Sequence, residues 1–118
     1  MLDGTWIAIS AELGGTMMPP AALSTIRLVL SGGNYTLGND RGTYRVDQRV
    51  TPAAIDVAGV DGPNSGRQIP AIYEFADEFL RICYDLSCAA RPTSFHSPAG
   101  SKLFLVTYRR EAAQQPAG

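Results

Sequence analysis

Among 118 residues the chain has one histidine, one tryptophan and two cysteines. His96, Cys83 and Cys88 do not supply ligands clustered at the spacing of a zinc site, so no metal is read from them. There is no charge excess of either sign: ten basic and eleven acidic side chains give a formal net charge of -1. A nucleic-acid binder normally shows a basic excess or stripe, and that class is set aside. Apolar runs fall short of the roughly 18–20 residues that a membrane span requires. No glycine-rich phosphate loop precedes a helix, and no cofactor is implied. Met1-Leu2-Asp3 carries neither a basic segment nor an apolar core. The expectation is a cytoplasmic protein, or a secreted one if a leader has been removed. In that setting Cys83, inside a strand pattern, and Cys88, in the loop after it, are read as two reduced thiols.

What the chain does have is short apolar segments of period two, punctuated by turn residues. They predict strands over Thr5–Leu13, Ile26–Ser31, Tyr35–Leu37, Gly42–Val46, Ala54–Val57, Ile69–Phe75, Phe79–Tyr84 and Lys102–Arg110. Met17 to Leu23 is the one helical stretch, with Pro20 suited to a first helical position, where its missing N–H costs nothing. Residues 1–111 make one domain, and Ala112–Gly118, lacking an apolar pattern, reads as a disordered tail. Eight short strands joined mostly by tight turns predict an all-β, up-and-down antiparallel barrel, a closure that removes exposed edges. A β-sandwich needs long Greek-key crossovers, and only the 86–100 loop is long enough to be one. An eight-stranded barrel is either filled by side chains or holds one small ligand.

Several segments together resemble a known family. Gly4-Thr5-Trp6, Tyr35-Thr36-Leu37, Gly42-Thr43-Tyr44, Asp61-Gly62-Pro63-Asn64, Ile72-Tyr73-Glu74, Leu80-Arg81-Ile82-Cys83, Arg91-Pro92-Thr93 and Tyr108-Arg109-Arg110 look like the lipocalin-like bacterial domain family expanded in planctomycetes. The likeness covers roughly residues 3 to 111. It implies a calycin-type barrel and no particular activity. It also implies that Trp6 plugs one end, with an arginine guanidinium lying across the indole, a contact worth about 0.5–2 kcal/mol. Arg110 matches the terminal basic position better than Arg109, and shares strand parity with Phe104, Val106 and Tyr108.

The candidate ligand-binding residues follow from that frame. Tyr35, Tyr44, Tyr73, Tyr84 and Tyr108 each lie on a different strand. Pointing inward, they would give apolar walls with phenolic donors, as small-ligand pockets have. Alternatively they are half-buried because aromatics suit a pleated surface. Met17 and Met18 either form an adaptable lid at a barrel mouth or anchor the short helix. Arg81, Asp56 and Glu74 are a candidate polar site. If the Leu80–Ile82–Tyr84 face lines the barrel, Arg81 is solvated; if the other face does, it is a buried cation awaiting a carboxylate or anion. His96 is a loop imidazole, either surface or general base.

The reading with the most support is a barrel that binds a small, largely apolar or amphipathic molecule. One alternative is a small barrel enzyme of cyclase, isomerase or hydrolase type. The other is an interaction module with a filled core. Oligomeric state is not legible.

Overall fold

The computed structural model describes residues 2–76 and 78–111. Among the described residues nine strands form: β1 (Gly4–Leu13), β2 (Thr16–Met17), β3 (Arg27–Ser31), β4 (Asn34–Leu37), β5 (Asp40–Asp47), β6 (Ala53–Asp61), β7 (Gln68–Ala76), β8 (Phe79–Asp85) and β9 (Leu103–Arg110). Every strand from β3 onward pairs antiparallel with the next, and β1 pairs with both β3 and β9. That double pairing closes eight strands into a barrel; β2 is an extra short strand held only by β1. One helix, α1 (Pro20–Leu23), lies between β2 and β3. No helix among the described residues is long and apolar enough to cross a membrane.

Two elements differ from the sequence pattern. Met17 does not open a helix: the chain turns at Gly14-Gly15 and lays Thr16 and Met17 back against Leu13 and Glu12. The helix begins at Pro20, its first position, which needs no N–H donor. β5 and β6 run well beyond the apolar segments that mark them, because they form one long hairpin whose register shifts between Arg41 and Gly42. The expected tail, 112–118, and the turn residue Asp77 lie outside the described residues.

Period two sorts the walls. The row Leu80, Ile82, Tyr84 on β8 and the row Val106, Tyr108 on β9 face inward, and so do all of Tyr35, Tyr73, Tyr84 and Tyr108, with Tyr44 packed against them. A bulge in β1 between Ala8 and Ser10 lets Ile9 stand outside while both Ala8 and Ala11 point in, opposite Tyr108 and Val106. Small side chains there make room for large rings. On the outer wall Ala54, Ile72 and Cys83, adjacent in register on β6, β7 and β8, form a buried apolar row. The connection from β8 to β9 lies against this row. The Cys83 thiol donates to the His96 carbonyl at 3.7 Å, and Arg91 Nη1 donates to the Ala71 carbonyl at 3.0 Å. Asp85 secures the start of the connection, accepting from the Ser87, Ala89 and Ala90 amides at 2.8–3.0 Å. Ser97 secures its end through the Leu103 carbonyl at 2.8 Å.

Candidate functional site

One end of the barrel is shut. Trp6 is completely buried, and its indole N–H donates to the Leu2 carbonyl at 2.9 Å. The Arg110 guanidinium lies 4.2 Å from the centre of the indole and donates to the Asp3 carbonyl at 2.9 Å. Arg110, not Arg109, is in register with Trp6. Phe75 meets the indole edge-on, with ring centres 5.9 Å apart. Gly4 has φ +142°, and a Cβ there would come within 2.6 Å of Arg110 Nη1. The glycine of Gly4-Thr5-Trp6 therefore clears space for the cation that covers the tryptophan.

The opposite end holds a cavity of about 190 Å³. Its walls are apolar, built by Leu28, Leu30, Ile55, Ile69, Ile82 and Phe104, with Tyr35, Tyr44 and Tyr84 among them. Its rim comes from chain segments that are remote in sequence: Leu37 and Asp40 at the β4–β5 turn, Asn64 and Arg67 at the β6–β7 turn, and Leu86 after β8. Gly42 positions one wall. A Cβ on it would approach the Tyr35 ring to 2.7 Å and the Ala58 carbonyl oxygen to 2.0 Å, so the ring lies directly over a bare backbone.

A polar brace crosses the rim. Asp40 is buried, and its carboxylate accepts from the Tyr35 hydroxyl at 3.1 Å, the Asn64 amide at 3.2 Å and Asn64 Nδ2 at 2.8 Å. Arg67 extends the brace, donating through Nη1 to Asn64 Oδ1 at 2.9 Å and through Nη2 to the Leu86 carbonyl and to Cys88 Sγ. A buried carboxylate with three donors is satisfied, whereas an unpaired one would be costly.

Four phenols are shifted upward. Burial, then the hydrogen bond to Asp40 and its negative charge, push Tyr35 up to about 12. Tyr44, which donates to Asp3 Oδ1 at 3.2 Å, is raised by burial and by that carboxylate. Tyr84 and Tyr108 share a hydrogen bond of 2.8 Å deep in the barrel, and burial raises both well above the ordinary phenol value.

The site residues expected from the sequence separate into three groups. Tyr35, Tyr44 and Tyr84 line the cavity. Tyr73 is buried and inward but does not line it, its hydroxyl accepting from Gln48 Nε2 at 3.2 Å. Met17 stands 59% exposed on β2, and Met18 packs against the core; neither lines the cavity. Arg81, Glu74 and Asp56 are on the outer wall. Arg81 pairs with Glu74 and lies 4.6 Å from the Phe95 ring centre, while Asp56 pairs with Arg91 at 2.8 Å. The reason is parity: the Leu80–Ile82–Tyr84 face is the inner one, which turns Arg81 outward. His96 is exposed in the β8–β9 connection. Cys83 and Cys88 are both free thiols.

Asp40, Asn64 and Arg67 were not picked out by sequence reasoning. A signal existed for one of them: Asp40 shares parity with Gly42 and Tyr44, so an inward Tyr44 implies an inward carboxylate. A larger hollow of about 980 Å³ lies outside β5, β6 and β7, but of its lining residues only Val57 and Ile69 are buried, and its charged groups stand in solvent. The inner cavity is the better candidate. Among the described residues no cluster of three or more His, Cys, Asp or Glu side chains is placed to hold a metal ion. Comparison of the chain with protein-family models, curated proteins and solved structures gives no match.

Proposed function

We propose that this protein is a lipocalin-like barrel that holds one small, largely apolar molecule in the cavity opposite Trp6. The observation that carries the reading is that cavity: about 190 Å³, walled by aliphatic and aromatic side chains and rimmed by the Asp40–Asn64–Arg67 brace. The Trp6–Arg110 stopper supports the narrower likeness to lipocalin-type barrels. A filled interaction module would not keep such a space. The enzyme alternative drew its motive from an ionisable pair, such as Arg81 with Asp56 or Glu74, facing the cavity; those three face away from it, and the Asp40 and Arg67 that line it are tied to Asn64 in the brace.

Size sets the guest. An apolar cavity of about 150 Å³ takes a molecule the size of benzene. This one suits a single ring with short substituents or a small fused bicycle, and a long acyl chain would have to remain mostly outside. Burying roughly 200 Å² of guest surface at about 25 cal/mol per Å² gives ~5 kcal/mol. That corresponds to a Kd of about 0.2 mM.

Calorimetric titration with benzene, indane and anthracene tests the reading. Affinity rises from benzene to indane and is lost at anthracene. Val57→Phe, which grows a ring into the cavity, abolishes indane binding at a stability cost of no more than about 1–3 kcal/mol. Failure of all three compounds to bind the unaltered protein would end the proposal.

A further inference from the structure

The barrel interior is not purely apolar. Three phenols line the cavity, and two of their O–H groups are committed: Tyr35 donates to Asp40 and Tyr44 to Asp3. The third, Tyr84, is bonded at 2.8 Å to the hydroxyl of Tyr108. Two hydroxyls that share one bond use one hydrogen between them, so the pair keeps a second O–H with no acceptor among the described residues. A buried donor without an acceptor is costly.

Where that hydrogen sits follows from position. Tyr108 is completely buried and does not line the cavity; it lies between the stopper and the open space, opposite Ala8. Were Tyr84 the donor, the unused hydrogen of Tyr108 would be shut in the core with no acceptor among the described residues. With Tyr108 donating to Tyr84, the unused hydrogen belongs to Tyr84, whose side chain lines the cavity and whose ring is fixed by stacking on Phe104 at 5.9 Å between centres. The second arrangement leaves a remedy: an acceptor placed in the cavity.

We infer that the guest is uncharged and presents a hydrogen-bond acceptor, a carbonyl oxygen, to the Tyr84 hydroxyl. This rests on the cavity reading above. A charged guest would shed its water with little in return. Asp40 already accepts three hydrogen bonds, and Arg67 directs Nη1 and Nη2 to Asn64, Leu86 and Cys88. Small cyclic or aryl ketones, aldehydes and lactones are the class that meets both the walls and the donor.

The test uses acetophenone and α-methylstyrene, which differ only by oxygen against methylene at one position. Titrated into the unaltered protein and into Tyr84→Phe, the ketone loses about tenfold in affinity on losing the hydroxyl. The hydrocarbon stays within about twofold, and differences in hydration of the two probes cancel in the comparison. Tyr108→Phe keeps the Tyr84 hydroxyl and keeps ketone binding within a few-fold. Should Tyr84→Phe not fold, the infrared carbonyl stretch of acetophenone bound to the unaltered protein decides: it lies at the hydrogen-bonded position, below its frequency in hexane. Equal losses for both probes, no loss for the ketone, or a hexane-like stretch would overturn the donor role and leave the cavity reading standing. Failure of both probes to bind the unaltered protein would overturn the two together.

Discussion

The two ends of the barrel each carry an arginine and put it to opposite use. Arg110 lies flat on Trp6 and completes a plug of rings and backbone carbonyl. Arg67 reaches across the other rim to an amide oxygen, a carbonyl and a thiol, bracing the walls from the side rather than filling the space between them. Stacking closes an opening, because a planar cation covers a planar ring. Bracing by directional hydrogen bonds holds an opening at a fixed width. The difference locates the cavity more firmly than either end does alone.

The plug carries the larger share of stability. Trp6→Ala removes the largest buried side chain and costs about 3–5 kcal/mol in chemical denaturation. Asp40→Ala, at the rim, strands the Tyr35 hydroxyl and the Asn64 donors at a cost of about 2 kcal/mol. A larger loss at Asp40 than at Trp6 would make the rim, not the plug, the structural end.

Acid sharpens the contrast further. Burial pushes the Asp85 carboxyl up, but the hydrogen bonds from Ser87, Ala90 and Ala89 outweigh it and leave it below its ordinary 3.8. A folded-state value below the unfolded one stabilises the fold above the ordinary carboxylate range and loses that contribution as pH falls through the lower value. In denaturation at a series of pH values, the gap between the unaltered protein and Asp85→Asn stays level above about pH 5 and closes below the ordinary range. A gap that widened with acid would contradict the assignment. The smallest effect belongs to the outer wall. Arg81→Ala breaks an ion pair whose side chains are 39% and 50% exposed, costs less than about 1 kcal/mol and leaves indane binding unchanged.

The plug was legible in the sequence because its pieces announce themselves: a glycine two residues before the tryptophan, and an arginine on the inward parity of the last strand. The barrel was legible from the number of short strands and their tight turns. The extra strand β2 was not, since two residues carry no period and their pairing is set by the turn at Gly14-Gly15. Parity grouped the tyrosines strand by strand but left open which group faced inward. That choice depends on closure, a property of the whole sheet. The rim brace was least legible. Asn64, Arg67 and Leu86 belong to connections remote from Asp40, and each reads as ordinary turn chemistry; Asp40 alone carried a parity signal.

Methyl NMR of the isoleucines during a benzene titration reads out where a guest sits, because the two walls carry their own reporters. Ile55, Ile69 and Ile82 line the cavity, whereas Ile72 is equally buried on the outer wall beneath the β8–β9 connection. A guest held inside the barrel gives saturable shifts at the three inner methyls and none at Ile72. Absence of saturable shifts, or shifts at Ile72 as large as those inside, would contradict binding in the cavity.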